Sequence, residues 1–261
     1  MNPGEHAVMS RVEDHHWWYL GLRDVIVRTL ERPDVRLPDR PRVLDAGCGT
    51  GANLKMLAER FRPSYLAGFD LSEEAVALAR EKAPEATVHV GDVTRPDLDP
   101  DDRGLDLVLS LDVIYIPGME RSMPGFRRLV SALRPGGLLV LNLPAYRWLY
   151  SAHDVAIHTK ERYTRGEVRG FLEQLGLTPV RLSYRMCLLL PLVVAGRLPS
   201  ILGRRPLPDR ARSDLHRATG PRLHRILFAI LRAENRWIAR GTRLPWGSSV
   251  FAVARREDAA T

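Results

Sequence analysis

The sequence predicts an α/β fold of the doubly wound kind: seven strands in a mostly parallel sheet, with helices on both sides. Three observations carry that prediction. Between residues 42 and 146, short apolar segments of strand length alternate with segments whose apolar residues recur at helical spacing. The first strand runs directly into a glycine-rich turn that opens a helix. Two more strand-like segments follow at 178–186 and 248–256, separated by a less regular stretch.

Residues 1–40 read as a helical lead-in, clearest over 24–30, and the two prolines of 35–42 break it. The alternation then begins. RVLDAG (42–47) is a strand, 51–61 a helix, 64–70 a strand, 73–83 a helix and 86–92 a third strand. The fourth strand, 105–116, is the most apolar, as expected of one buried on both faces. A helix over 119–133 stops at Arg134-Pro135-Gly136-Gly137, and 137–146 is the fifth strand. Thr164 with Glu167 three residues later has capping-box spacing for a helix over 164–177, which Gly176 suits as a stop.

The predicted division is an N-terminal helical lid (1–40), a core (41–185 and 246–256) and a helical insertion (186–245) between strands six and seven. The insertion contains an apolar run at 187–196, a basic proline-rich loop at 203–212 and a helix near 221–240. In that helix Leu223, Ile226, Leu227, Ile230, Leu231, Trp237 and Ile238 share one face, with Arg222, Arg225, Arg232, Arg236 and Arg240 largely off it.

Composition narrows the function classes. The formal charge is +8, yet Lys55, Lys82 and Lys160 are the only lysines, and the arginines are scattered and interleaved with acids. No basic stripe or motif of a nucleic-acid binder is present, so none is expected as partner. Cys48 and Cys187 lie far apart with no metal-ligand spacing, and a cytoplasmic setting is expected. The run 187–196 is roughly half a bilayer span. It leaves open a peripheral lipid contact, and the insertion helix leaves open a homodimer face.

Chemistry concentrates at Val43-Leu44-Asp45-Ala46-Gly47-Cys48-Gly49-Thr50-Gly51. Glycines let a backbone approach a ligand, and the helix start offers free N–H donors. With Ala52 the loop also fits a dinucleotide pattern, and Asp70 lies where a ribose-binding acid belongs, so a nicotinamide or flavin enzyme stays in view. Asp45 argues for a different cofactor: a carboxylate before the glycines repels pyrophosphate and suits the cationic S-adenosylmethionine. Gly91-Asp92 after strand three and Leu133–Gly137 before strand five point the same way.

The ordered series VLDAGCGTG, GFDLSEEAVALAR, GDV, LDLVLSLDVIY and LRPGGLLVLNLP resembles the motif set of class I S-adenosylmethionine-dependent methyltransferases, over roughly residues 42–145. The resemblance implies a Rossmann-like fold. It also implies that Asp45, Gly47, Gly49 and Gly51 hold the methionine end, that Asp70 with its neighbour Leu71 holds the ribose, and that Asp92 with Val93 faces adenine. Leu111 and Asp112 would lie beneath the transferring methyl. Asp70 has a plainer reading as a helix cap, and Asp92 as a turn cap.

Two further segments resemble small-molecule and glycan-pathway methyltransferases of the methyltransferase-11/12 type. Glu13–Tyr19 with Arg23 is one, and Leu143–Ser151 continuing to His153-Asp154, His158 and Arg162-Tyr163 is the other. The implied roles are a cofactor lid (Trp17, Tyr19, Arg23) and an acceptor pocket. Glu161 stands where the group's common first arginine would be. Trp17 and Trp18 also read as packing residues, and His153 and His158 as structural histidines. If the acceptor must lose a proton, the candidate bases are His153, Asp154 and His158, with Tyr146 or Tyr150 orienting it. No metal set and no G-x-S-x-G elbow is present in the sequence.

The expected activity is methyl transfer to a small hydrophobic, natural-product or glycolipid-type acceptor. The alternatives are non-methyl chemistry, such as cyclisation, on the same cofactor, or a nicotinamide-dependent oxidoreductase.

Overall fold

The computed structural model describes residues 5–201 and 220–257. The loop expected at 203–212 lies outside the described residues. Strands β1 (Arg42–Ala46), β2 (Tyr65–Asp70), β3 (Thr87–Val90), β4 (Leu105–Leu111), β5 (Leu133–Pro144), β6 (Leu177–Arg185) and β7 (Ser249–Arg256) form one sheet in the order β3-β2-β1-β4-β5-β7-β6. Strand β7 runs antiparallel to both neighbours, and the other pairings are parallel. The order reverses between β1 and β4, so the loops after those strands diverge and leave a crevice above the carboxyl ends.

Helices α1 (Glu5–Val12), α2 (Trp17–Leu30), α3 (Ala52–Phe61) and α4 (Glu73–Lys82) come first, followed by α5 (Met119–Ala132), α6 (Ala152–Ala156) and α7 (Arg165–Gln174). The insertion supplies α8 (Leu190–Ile201) and α9 (Pro221–Ala239). Leu44, Val108, Leu139 and Phe126 belong to the core on one face of the sheet, and Val43, Leu107, Val140 and Phe251 to that on the other. Adjacent strand residues thus serve opposite faces, which is why these strands read as unbroken apolar runs.

Two strand limits differ from the expectation. Strand β4 ends at Leu111 because Asp112 takes φ +55°, turning the chain out of the sheet. Strand β5 begins at Leu133, through the Arg134–Gly137 turn, where its pairing with β4 shifts register between Leu105 and Leu107. The Thr164 box is present as expected: Glu167 N donates to Thr164 Oγ1 at 3.3 Å, and Thr164 N to Glu167 Oε2 at 2.7 Å.

The insertion helix α9 packs chiefly on α2. Its buried seam is Leu227, Leu231, Glu234, Asn235 and Ile238, whereas Leu223, Ile226 and Trp237 of the expected stripe are exposed. Two polar residues thus occupy the seam, each with partners. Asn235 Nδ2 donates to Gly21 O at 2.8 Å and to Asp24 at 2.9 Å, tying α9 to α2. Glu234 accepts from Met186 N at 2.5 Å and Leu188 N at 3.0 Å, the backbone that leaves β6 for α8. Arg222, Arg225, Arg232, Arg236 and Arg240 face outward as expected. Val25, Ile26 and Leu30 of α2 are fully buried against the sheet, so that helix is core for most of its length and covers the crevice only at its start.

Glu234 also sits beside the buried Arg185. Glu234→Ala should therefore cost about 3–5 kcal/mol in urea unfolding, by stranding a buried cation and two N–H groups. A loss below about 1 kcal/mol would mean the seam does not need the carboxylate. The start of α2 is pH-sensitive. His16 Nδ1 accepts from Trp18 N at 3.3 Å, and burial, with His224 nearby, lowers its pKa from 6.5 to about 4. Between those values the unfolded chain takes up a proton that the folded one resists, so stability falls as pH drops through the window. The expected loss near pH 5 is about 1–2 kcal/mol. His16→Asn, which keeps an acceptor at the cap without titrating, should flatten that part of the stability-versus-pH curve. Equal slopes would remove His16 as the cause.

Candidate active site

A cavity of roughly 1430 Å³ opens above the carboxyl ends of the parallel strands. Its floor is the turn after β1. Gly47 takes φ +90°, and a Cβ there would lie 2.3 Å from Val113 Cγ2, so only glycine fits between the turn and the chain leaving β4. Gly47 N and Cys48 N both donate to Phe69 O, at 2.8 and 2.9 Å. Gly49 N donates to Asp70 Oδ2 at 3.0 Å, and Ser72 N to Asp70 Oδ1 at 3.0 Å. The carboxylate is thus held in one orientation at the cavity wall. The cap of α4 is Ser72, whose Oγ accepts from Ala75 N, so Asp70 is not spent on capping.

Gly47, Gly49, Asp70, Leu71, Asp92, Val93 and Leu111 all line the cavity. Leu71 is 70% exposed there and Leu111 8%. Asp92 Oδ1 also accepts from Thr94 N at 2.8 Å, which fixes the turn after β3. Asp45 and Gly51 lie elsewhere. Asp45 is fully buried beneath the glycine turn, neither oxygen has a hydrogen-bond partner among the described residues, and burial, with Asp70 nearby, raises its pKa to about 7. Gly51 begins α3 at φ +91°, where a Cβ would lie 2.8 Å from Ala79 Cα; it lets α3 approach α4 rather than facing the cavity.

Trp17, Tyr19 and Arg23 of α2 also line the cavity. Arg23 Nη2 donates to Glu13 O at 2.6 Å. Glu13 itself is buried, accepts from Thr50 Oγ1 at 2.5 Å and pairs with Lys82, so it pins the helical lead-in onto the glycine turn and α4. Burial raises the Tyr19 hydroxyl well above its ordinary value.

Past β4 lie the residues considered for acceptor chemistry. His153, Asp154 and His158 line the cavity. Asp154 is fully buried and its oxygens are committed: Oδ2 accepts from Ser151 N (2.9 Å) and Oγ (3.1 Å), and Oδ1 from Arg162 Nε (2.8 Å). It is therefore a clamp rather than an open base. His158 has φ +61° and a pKa lowered mainly by burial, which favours the neutral imidazole. Tyr146 does not reach the cavity wall: its ring stacks on Tyr184 (5.0 Å) and Trp148 (5.8 Å). Tyr150, also off the wall, donates to Thr159 O at 3.1 Å.

Sequence reasoning passed over Glu13 as a pin, and also Arg121, Lys160 and Arg197, all in the cavity wall. A visible signal existed for the last: Arg197 closes an otherwise uncharged run from Met186 to Gly196. Asp112 has Oδ2 bound by Asn142 Nδ2 at 2.8 Å, and burial raises its pKa to about 7 despite that bond and nearby Arg185 and Arg162. Among the described residues no group of three His, Cys, Asp or Glu could hold a metal ion, and no helix is long and apolar enough to cross a membrane.

A methyltransferase domain model matches residues 43–137. The chain is 37% identical over 114 residues to trans-aconitate 2-methyltransferase of Variovorax paradoxus, an alignment covering 43% of this chain and 42% of that protein. It is 35% identical over 116 residues to dTDP-4-amino-2,3,4,6-tetradeoxy-D-glucose N,N-dimethyltransferase of Saccharopolyspora spinosa, covering 41% of each. The chain thus spans about two fifths of the length of the curated relatives it matches. The fold resembles magnesium protoporphyrin IX methyltransferase from Synechocystis PCC 6803 with bound S-adenosylmethionine, at TM-score 0.53 and 18% identity, over 92% of this chain and 80% of that one. Residues 43–137 thus match a methyltransferase domain, and the strand order β3-β2-β1-β4-β5-β7-β6 around a glycine turn gives the chain the Rossmann-like fold of S-adenosylmethionine-dependent methyltransferases.

Proposed function

We propose that the protein transfers a methyl group from S-adenosylmethionine to a small-molecule acceptor bound in the same cavity. The observation that carries this reading is Asp70: a carboxylate at the cavity wall whose two oxygens are fixed by Gly49 N and Ser72 N. Each oxygen retains a lone pair for a ribose hydroxyl. The buried charge of Asp45 tests the fit independently. An unpartnered carboxylate under a glycine turn is costly, and a cationic ligand above it offsets that cost. A pyrophosphate over Asp45, Asp70 and Asp92 would be repelled, which disfavours a nicotinamide cofactor.

Gly47 and Gly49 would take the methionine end, Asp70 and Leu71 the ribose, and Asp92 and Val93 the adenine. Trp17, Tyr19 and Arg23 of α2 would close over the cofactor. Bound there, S-adenosylmethionine supplies a methyl group on a positively charged sulfur that leaves as a neutral thioether. The chain's part is positioning and exclusion of water, and effective molarity of this kind is worth up to about 7–11 kcal/mol in ideal cases. His158, neutral near pH 7, would accept the proton that an oxygen or nitrogen acceptor gives up, with His153 beside it in the wall. The lidded wall and the apolar residues of α8 suit this role by keeping the nucleophile desolvated.

Titration calorimetry with S-adenosylmethionine and S-adenosylhomocysteine, with NAD(P) as control, tests the cofactor. Binding of the sulfur ligands alone is expected, and binding of NAD(P) alone would overturn the reading. Asp70→Ala should weaken S-adenosylhomocysteine by about tenfold or more, about 1.4 kcal/mol. Unchanged affinity in a folded variant would take Asp70 out of the site. His158→Ala should lower turnover and leave cofactor affinity intact, and a fully active variant would place the base elsewhere.

A further inference from the structure

The cavity is divided by charge, and the division follows the strand order. On the side of β3, β2 and β1 its wall carries Glu13, Asp70, Glu74 and Asp92, with Asp45 buried beneath. Arg23, the cation of that side among the described residues, donates to the Glu13 carbonyl. Beyond β4 the sign reverses. Arg121 stands near the start of α5, Lys160 and Arg162 follow α6, and Arg197 projects from α8. Against these four cations this half of the wall sets the Asp154 carboxylate, with Asp112 on the boundary at the end of β4. Glu161 is exposed, accepts from Tyr163 and is not part of the wall.

Asp154 is shared by Arg162 at 2.8 Å and Arg197 at 3.6 Å. Arg197 also donates to Leu149 O at 2.6 Å, which holds α8 over the cavity. The side chains of Arg121 and Lys160 have no hydrogen-bond or ion-pair partner among the described residues, and both are exposed at the rim. Between the cations the wall is apolar: Ile116, Ile157, Leu189, Leu192 and Val193. At roughly 1430 Å³ the cavity exceeds the usual 300–1,000 Å³ of a single-ligand site, so a second molecule fits beside a cofactor. Cations at the mouth of a low-dielectric cleft draw in an oxyanion and reject a cation.

We propose that the basic half binds the acceptor and that the acceptor is an amphipathic acid. Its carboxylate or phosphate ester lies at Arg121 and Lys160, and its apolar body lies against α8. This rests on the acidic half being the cofactor's, and it replaces a purely hydrophobic acceptor with an anionic one.

The test uses four probes of one chain length below their micellar concentrations: decanoate, decyl phosphate, decanol and decylamine. Each is titrated into the full chain with and without S-adenosylhomocysteine. The two acids are expected to bind about tenfold or more tightly than the alcohol and the amine. The double variant Arg121→Glu with Lys160→Glu should lose about tenfold for the acids and hold its S-adenosylhomocysteine affinity. Equal binding of decanol and decanoate, or acid binding unchanged in the double variant, would overturn the proposal. The head-group series on the unaltered protein decides the matter even if the variant folds poorly. Failure of S-adenosylhomocysteine to bind overturns the cofactor reading instead, and the acid titrations without it report on the basic half alone.

Discussion

One carbonyl oxygen organises the site. Phe69 O, in β2, accepts from both Gly47 N and Cys48 N, so the turn leaving β1 must fold down onto its neighbouring strand. That contact brings Gly49 N within reach of Asp70 and leaves room for Val113 beside Gly47. A side chain at position 47 would have to displace Val113, and with it the chain leaving β4. The glycine turn, the Asp70 carboxylate and the Leu111–Val113 corner are therefore one geometric unit rather than three motifs that happen to converge.

A second constraint ties α2 and the insertion to that unit. Arg185, at the end of β6, is fully buried, and burial lowers its pKa to about 10 although Glu234, Asp112 and Asp24 favour its charge. Its Nη2 reaches Trp18 O at 3.3 Å, and its guanidinium lies 5.6 Å from the Trp18 ring. One cation thus touches the sheet, the start of α2 and the seam of α9. A buried charge of this kind adds little net stability, but it penalises any arrangement in which one of the three partners is withdrawn. The seating of α9 and that of the start of α2 are coupled through it.

This coupling marks the limit of what the sequence made legible. The alternating strands, the glycine turn, the capping box at Thr164 and the acids closing β2 and β3 follow from local patterns of period and spacing, and local backbone chemistry fulfils them. The seam of α9 does not. Hydrophobic periodicity selects Leu223, Ile226 and Trp237, yet those stay exposed while Glu234 and Asn235 are buried, because the backbone leaving β6 and the Gly21 carbonyl supply partners that no local pattern reveals. Tyr146 fails as an orienting residue for a similar reason: two aromatic neighbours, one of them far along the chain, hold its ring away from the cavity. Asp154 looks like a base in sequence and becomes a clamp once Arg162 and Ser151 fold onto it.

Asp45 and Asp112 show how charge order and reaction geometry meet. Both carboxylates have pKa values raised to about 7 by burial, so neutrality favours the fold as pH falls below that value, and ionisation is tolerated only with compensation. Their compensation differs. Asp112 has an Asn142 amide bond and two nearby guanidinium groups, all supplied by the chain. Asp45 has no hydrogen-bond partner among the described residues, so a cation above the glycine turn would favour its ionised form. In the proposed arrangement the cofactor's cation lies over the glycine turn, and the acceptor's anion beyond β4 meets Arg121 and Lys160. With opposite charges favoured on opposite sides of β4, the two proposed ligands are drawn into one cavity in a single relative order. Methyl transfer needs that order before any acid–base group acts.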